Sequence, residues 1–337
     1  MQREAFFDNA KWILIFFVVF GHTIQPFVEK YDTIYVLYQW IYTFHMPAFI
    51  FLAGYFAKPS GSKGYVGKLV KKLLFPYVMF QSIYTIYYFL IGKQDWLHTP
   101  FEPHWSLWFL VSLLCWHIML YWFYRLPKHL ALLITVQLGL LVGYIDVIGH
   151  SFSLSRTFVF FPFFLLGYWF GPDQLKWLRQ KNVRALSLLV LGLSAAAITI
   201  APRFSTSWFL GSKSYLEMGM PEWGGLIRLG IYILSILMMF SVLAWMPRKK
   251  GVWTKYGGNT LYVYLLHGFF IHFFREFDVF QLKSPLDMAV LITTAAMITW
   301  GLSSRPVRNV ASPFIEWEDN SQYQWKRPVR KLKTYRF

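Results

Sequence analysis

Cysteine and charged residues are both scarce in this chain. Cys115 is the single cysteine among 337 residues, so the sequence excludes a disulfide framework and a thiolate metal site. Charged residues make up 15% of the chain, whereas soluble domains carry about 25%. Phosphate-binding glycine loops, zinc-ligand spacings and nucleophilic serine elbows do not occur either. Their absence argues against ATP hydrolysis, metal catalysis and serine acyl-enzyme chemistry.

Apolar and aromatic residues take the place of the missing charge. Hydrophobic residues make up 56% of the chain and aromatic residues 21%, with a mean hydropathy of +0.39. Apolar stretches of about 18 to 24 residues recur along the chain, which is the length that a helix needs to cross a bilayer. We therefore predict an all-α polytopic membrane protein with about ten transmembrane helices. The predicted spans are 11–28, 33–57, 74–92, 105–124, 129–149, 152–170, 183–202, 223–246, 259–275 and 284–304.

The distribution of positive charge predicts the orientation. The net charge of +17 comes from 33 lysines and arginines against 16 acidic residues. With a cytoplasmic N-terminus, most of these cations fall on the cytoplasmic side of the predicted spans, as the positive-inside rule requires. We therefore predict cytoplasmic termini, an uncleaved first helix, a transmembrane domain over 1–304 and a basic cytoplasmic tail over 305–337. Because the cations follow the topology, we expect anionic membrane lipid as a partner and no nucleic acid.

Three polar side chains share one face of the first predicted helix. At 3.6 residues per turn, Lys11 and His22 lie about 20° apart around the axis, and Asp8 lies within about 60° of either. The helical rise puts His22 about 16 Å beyond Lys11, near the middle of a hydrocarbon layer about 30 Å thick. Ionisable groups at that depth are costly and by default mark a function. The stripe is therefore a candidate catalytic centre.

Two further histidines fall inside predicted spans. His45 lies about twelve residues into the second span, so we expect it at the depth of His22 and beside it. Pro47 removes a backbone hydrogen bond nearby, and a histidine that satisfies the freed carbonyl is the structural alternative. His267 lies about eight residues into the ninth span, where a functional role and a packing role are both open.

Cationic and aromatic residues mark two further candidate binding sites. Arg156 and Arg228 fall in the outer parts of spans six and eight, where they either line a polar cleft or extend to lipid headgroups. Trp105 and Trp108 either join that cleft and stack on a sugar or belong to the interfacial aromatic belt. Lys71 and Lys72 precede the third span on a predicted surface helix. Such a cluster suits the phosphates of coenzyme A and anionic lipid equally well.

Several motifs in this chain resemble those of a known family. In chain order they are Phe7-Asp8-Asn9-Ala10-Lys11, Val18-Val19-Phe20-Gly21-His22, Phe44-His45-Met46-Pro47, Leu73-Leu74-Phe75-Pro76-Tyr77, Trp105-Ser106-Leu107-Trp108-Phe109-Leu110, Phe161-Pro162-Phe163-Phe164-Leu165-Leu166-Gly167-Tyr168 and the stretch ending in His267. At these residues the chain resembles the membrane-bound acyltransferase-3 family, especially the branch of fucose 4-O-acetylases and polysaccharide O-acyltransferases. The motifs extend over most of the chain.

The resemblance implies acyl transfer at the bacterial plasma membrane. An acetyl or succinyl group passes from cytoplasmic acyl-CoA to a hydroxyl of a cell-surface polysaccharide, without a metal and beside the polysaccharide synthesis machinery. His22 serves as general base or acyl carrier. The other expected catalytic residues are Asp8, Lys11 and His45. The expected acyl-CoA contacts are Lys11, Lys71 and Lys72, and the expected substrate contacts are Trp108, Arg156, Arg228 and His267.

Lys11 departs from the usual pattern of this family. Many members have arginine at this position, followed ten residues later by the essential histidine. Lysine preserves the charge but lacks the planar fork that binds a phosphate through two hydrogen bonds. We therefore expect Lys11 to act on the donor as a point charge.

Two hypotheses other than an enzyme account for part of the sequence. A transporter of a polysaccharide or a lipid-linked sugar also places ionisable residues among apolar helices. Against a transporter, the sequence has no inverted repeat, and its polar groups concentrate in the first two spans. The other hypothesis is a membrane scaffold in which the histidines only pack.

Overall fold

The computed structural model describes residues 5–93, 102–148 and 153–317. Within these ranges all regular structure is helical, as predicted. The helices in chain order are α1 Ala5–Ile24, α2 Asp32–Tyr55, α3 Lys63–Leu90, α4 Trp108–Phe123, α5 Lys128–Leu141, α6 Leu154–Trp169, α7 Pro172–Trp177, α8 Lys181–Ile200, α9 Ser207–Leu210, α10 Gly224–Trp245, α11 Thr260–Glu276, α12 Pro285–Leu302 and α13 Arg305–Ile315.

Each of the predicted spans coincides with one of these helices. Within the described ranges, α1, α2, α3, α8 and α10 are long and apolar enough to cross a membrane. α12 and α13 pass the same test together but bend by 66° at their junction, and α4, α5 and α6 are shorter apolar helices. Leu186, Leu189 and Leu193 of α8 are more than half exposed, as on a face that contacts lipid. The chain is a multi-pass membrane protein, and its ten spans and cytoplasmic termini stay predictions.

The surface helix predicted before the third span is continuous with that span. α3 runs from Lys63 to Leu90 without a break. Tyr65 N donates a hydrogen bond to the Ser62 side chain at 3.3 Å, which caps the start of the helix. Residues 68–74 are good helix formers, so nothing separates the cationic turn from the apolar part. The predicted tail begins with α13, and residues 318–337 lie outside the described ranges.

Two glycines let α2 and α6 cross with their backbones in contact. A Cβ atom on Gly54 of α2 would lie 2.0 Å from the carbonyl oxygen of Phe164. A Cβ atom on Gly167 of α6 would lie 1.9 Å from the carbonyl oxygen of Phe51. Any side chain at either glycine would push the helices apart, as at other small-residue crossings in membranes. The crossing fixes two helices that carry predicted site residues.

α1 lies between α2, α11 and α12. Near its end, Gly21 packs against the Tyr42 ring of α2. Near its start, a Cβ atom on Gly257 would lie 2.2 Å from the carbonyl oxygen of Asp8, so glycine allows this close approach. The helix that carries the predicted polar stripe is therefore held at both ends.

The segment before α4 is anchored to α3 and α11. His104 N donates a hydrogen bond to Gln81 Oε1 at 3.0 Å, and Gln81 Nε2 donates to the carbonyl oxygen of Glu102 at 2.9 Å. The Tyr264 hydroxyl of α11 donates to the carbonyl oxygen of Ser106. These bonds hold the segment where its side chains reach both α1 and α11.

Candidate active site

A cavity of about 690 Å³ opens at the end of the bundle where α1 is followed by α2 and α11 by α12. The α1–α2 connector, the last turn of α11 and the segment before α12 form its walls. His22 lines this cavity from the last turn of α1. The Nδ1 atom of His22 is buried and has no hydrogen-bond partner among the described residues. The imidazole thus keeps hydrogen-bonding capacity that the protein itself does not use.

The Trp105 ring packs against three histidines beside this cavity. Its centroid lies 4.3 Å from the His22 ring centroid, 5.1 Å from that of His267 and 4.7 Å from that of His272. The backbone of Trp105 has a φ of +39°, a left-handed conformation that costs an L-residue about 1–2 kcal/mol. Such strain persists only where the surrounding structure imposes it. The fold therefore holds the indole in this place.

Hydrogen bonds to the backbone fix the tautomers of two other histidines. His267 Nδ1 lies 2.9 Å from the carbonyl oxygen of Val263, and His45 Nδ1 lies 2.9 Å from that of Ile41. A carbonyl oxygen only accepts, so each Nδ1 carries the hydrogen and each neutral ring has a lone pair on Nε2. His267 Nε2 is buried without a partner among the described residues. It is an unused proton acceptor on a ring whose centroid lies 5.7 Å from that of His22.

His22 and His45 differ in depth by about one helical turn. Gly21 packs on Tyr42, which places His22 beside residue 41 of the antiparallel α2 and His45 about 5 Å further along. The prediction put both imidazoles at the middle of the membrane, but His22 lies in the last turn of α1. The reason is that α1 already begins at Ala5. The Tyr42 ring, 4.5 Å from that of His45, connects the two levels.

Arg275 of α11 closes the end of α1. Its Nη2 atom donates to the carbonyl oxygen of His22 at 2.7 Å and to Gln25 Oε1 at 2.8 Å. The last carbonyls of a helix lack partners within the helix and form the negative end of its dipole. The guanidinium satisfies one of these carbonyls and holds the His22 backbone against α11. Arg275 also lines the cavity, so a cation stands beside the imidazole.

Arg156 and Trp108 lie together, and Arg228 lies elsewhere. The Arg156 guanidinium is 5.0 Å from the centre of the Trp108 ring. Arg228 is 2% exposed, and its guanidinium is 5.2 Å from the centre of the Tyr215 ring. The structure thus brings two of the three predicted outer substrate contacts, Arg156 and Trp108, together.

Asp8 and Lys11 form an ion pair at the opposite end of α1. Lys11 Nζ lies 3.0 Å from Asp8 Oδ1, as the predicted orienting role of Asp8 requires. Eleven residues of helix, or about 16 Å, separate Lys11 from His22. The three members of the predicted stripe therefore do not meet: the ion pair serves one end of the bundle and the imidazole the other.

Lys71 and Lys72 lie on an exposed face of α3. The Lys71 ammonium is 5.5 Å from the centre of the Trp317 ring, which in turn packs on Phe75 with centroids 5.1 Å apart. α3 starts where α2 ends, which is also the end of the bundle that holds Lys11. The expected donor contacts thus lie at one end of the bundle, and His22 lies at the other end.

The sequence did not single out two residues of the site, His272 and Arg275. From their positions alone, His272 suits a membrane boundary and Arg275 an outer loop. In the structure Arg275 binds the carbonyl oxygen of His22. His272 packs on Trp105 with ring centroids 4.7 Å apart, and its Nε2 shares a hydrogen bond of 3.0 Å with the Tyr88 hydroxyl. One signal was present: Arg275 follows His267 by eight residues, so both lie within about 80° on one helical face.

The match to one protein family covers nearly the whole chain. The family model, described as an acyltransferase domain, matches residues 4–304. The chain belongs to the acyltransferase-3 family. This acyltransferase is also similar to the nodulation protein NolL of Mesorhizobium japonicum, with 24% identity over 325 residues that cover 88% of this chain and 83% of the relative. No solved structure matches it.

The site combines an imidazole that has an unused nitrogen with an adjoining cavity, an arrangement that suits proton transfer from a bound ligand. His22 borders a cavity of about 690 Å³. The rings of His267 and Trp105 pack against the His22 ring. An indole face is also a suitable surface for stacking a ligand ring. The residues of this site come from α1, α11 and the segment before α4, so the site depends on the tertiary packing of all three.

Proposed function

We propose that this acyltransferase moves an acetyl or succinyl group from cytoplasmic acyl-CoA to a hydroxyl of a cell-surface polysaccharide or related sugar, in the bacterial plasma membrane. The observation that carries the proposal is the place of His22, an imidazole with an unused nitrogen at the wall of a cavity. General bases with these properties take the proton of an attacking hydroxyl.

In the proposed reaction the His22 imidazole takes the proton from the sugar hydroxyl while the hydroxyl oxygen bonds to the thioester carbonyl carbon. The carbon–sulfur bond then breaks, and the coenzyme A thiolate takes the proton from the imidazolium. A second route has the imidazole attack the thioester and carry the acyl group until the hydroxyl accepts it. His45, one turn deeper, assists in either route.

The two substrates approach His22 from opposite ends of the bundle. Lys71 and Lys72 attract the donor phosphates by charge. The Lys11 ammonium, oriented by its ion pair with Asp8, contacts the donor directly. The sugar enters through the cavity, where Trp105 and His267 border His22. The other proposed substrate contacts are Trp108, Arg156 and Arg228. This arrangement requires the acyl group to cover the length of α1 between the two ends.

Replacement of His22 tests the proposed role. We expect His22→Ala to lower acyl transfer about 10²- to 10⁴-fold, the range for loss of a general base. Transfer of label from acetyl-CoA to extracted glycan is measured in membranes with equal protein content. His129→Ala, at an exposed position at the start of α5, is the matched control and keeps wild-type activity. Near-full transfer by His22→Ala would show the assignment to be wrong.

The same label separates the enzyme from a transporter. A transporter of a polysaccharide or a lipid-linked sugar leaves the glycan unlabelled while its movement across the membrane depends on the protein. An acyltransferase labels the glycan even when the glycan is supplied on the acceptor side. Mass spectrometry of surface glycans, with and without the protein, then names the acyl group and the acceptor together.

A further inference from the structure

A second cavity, of about 410 Å³, lies where α8 begins and α10 ends. We call it the Arg184 cavity. Its cationic lining residues are Arg179, Arg184, Arg248 and Lys249, and its described lining contains no acidic side chain. Four like charges around one space repel one another. An anionic ligand would remove that repulsion, and a volume of several hundred Å³ is typical of small-molecule sites.

Aromatic contacts hold two of these guanidinium groups in place. The Arg184 guanidinium lies 4.2 Å from the centre of the Trp245 ring, and Trp245 Nε1 donates to Ser187 Oγ at 2.8 Å. The Arg248 guanidinium lies 5.0 Å from the centre of the Phe6 ring of α1. A guanidinium stacked on a ring keeps its N–H groups in its own plane, directed at a ligand edge. The Nε of Arg184 is buried without a partner among the described residues.

The Arg184 cavity is fastened to the helix that carries His22. Asn9 of α1 is fully buried, and its Nδ2 donates to the carbonyl oxygens of Pro247 at 2.8 Å and Lys249 at 3.0 Å. Asn9 Oδ1 accepts from the Thr254 hydroxyl at 2.6 Å. The wall of the cavity therefore meets α1 within two residues of Lys11. A ligand there and a group at Lys11 belong to one end of the bundle.

We propose that the Arg184 cavity binds the phosphate groups of the acyl-CoA donor. The inference rests on the proposed function and adds to it a site distinct from Lys11, Lys71 and Lys72. Coenzyme A carries a diphosphate and a ribose phosphate, and paired guanidinium groups bind phosphate oxygens through two hydrogen bonds each. The headgroup of an anionic lipid offers the same phosphate chemistry, so the experiment includes both sources.

The test measures coenzyme A binding to the full-length purified chain, without acceptor or transfer. We expect Arg184→Gln to raise the Kd for coenzyme A about tenfold, the effect of one charged hydrogen bond. The Kd for pantetheine, which lacks the phosphates, stays at the wild-type value. Lys181→Gln removes an exposed cation from the same turn of α8 but outside the cavity lining, and leaves both Kd values unchanged. Binding of phosphatidylglycerol in mixed micelles is measured beside them.

Five results are informative. A selective loss of coenzyme A affinity in Arg184→Gln supports the proposal. An equal loss for coenzyme A and pantetheine overturns it, because that pattern reports a structural defect. A loss of phosphatidylglycerol binding with an unchanged Kd for coenzyme A also overturns it and assigns the cavity to lipid. If the wild-type chain does not bind coenzyme A, both the proposed acyl-CoA donor and this site are refuted. If the wild-type chain binds coenzyme A and Arg184→Gln binds it with the same Kd, only this site is refuted.

Discussion

Gly268→Ala provides a sharp test of the site, because the new methyl group would occupy space that two other residues use. A Cβ atom at this position of α11 would lie 2.3 Å from Tyr84 Oη and 2.8 Å from Trp105 Cζ3. Carbon atoms in ordinary contact are about 3.5 Å apart, so the indole must retreat by about 0.7 Å. Tyr84 must move further, and its hydrogen bond of 2.7 Å to the Leu265 carbonyl oxygen is lost.

These displacements predict separate effects on stability and on activity. Overpacking costs about 1–3 kcal/mol, and the lost hydrogen bond costs about 1 kcal/mol. The higher helix propensity of alanine returns about 1 kcal/mol, so we expect a net loss of about 1–3 kcal/mol. Since a misplacement of about 1 Å at a reacting centre can cost about 10²-fold, the shift of Trp105 should lower kcat/KM for acyl transfer about 10- to 100-fold.

Two further variants separate the effect on the site from the effect on the fold. Gly230→Ala in α10 has no atom within 4 Å of the new Cβ, so it should keep full activity and gain up to about 1 kcal/mol. The double variant Gly268→Ala with Tyr84→Phe removes the closest clash and should recover stability without recovering activity. Thermal unfolding and steady-state kinetics measure the two effects. Activity within twofold of wild type in Gly268→Ala would refute the placement of Trp105 in the site.

Substitutions at three other positions test the two ends of α1. Asn9→Asp loses both amide hydrogen bonds and should lower stability by about 2–4 kcal/mol; an unchanged melting temperature would contradict the buried contacts. Arg275→Lys loses the paired bonds to the His22 carbonyl oxygen and Gln25. We therefore expect about tenfold lower kcat with an unchanged KM for acyl-CoA. An unchanged kcat would refute the role of Arg275 in positioning His22. Lys11→Ala should raise the KM for acyl-CoA about tenfold, whereas Lys11→Arg should keep the wild-type KM. Equal KM values in these two variants would exclude a contact between Lys11 and the donor.

Residues inside apolar runs were the part of the site that the sequence predicted best. A lone histidine such as His22, His45 or His267 stands out against leucine and phenylalanine, because burying an ionisable group in a membrane is costly. The structure brings the rings of His22 and His267 within 5.7 Å of each other, and His45 lies about one helical turn deeper on α2. The helices themselves were predictable for the same reason: the length and hydropathy of an apolar run are properties of the local sequence.

The rest of the site depends on contacts that local sequence does not carry. Trp105 reaches His22 only because its backbone takes a left-handed conformation and because Gly268 leaves room for its ring. Arg275 lies against the His22 carbonyl oxygen across 253 residues of chain. Helical periodicity also could not show whether Lys11 and His22 belong to one site. Two residues on one face of a helix can still lie at its opposite ends.

The rigidity of α1 constrains how an acyl group reaches His22. At one end, Asn9 binds the carbonyl oxygens of Pro247 and Lys249. At the other, Arg275 binds the carbonyl oxygen of His22. Sliding the helix would break both sets of bonds, so the distance of about 20 Å between Asn9 and His22 stays fixed. In the proposed reaction the donor must therefore supply the reach through its long acyl-thioester arm, while α1 holds the two ends of the site at a fixed distance.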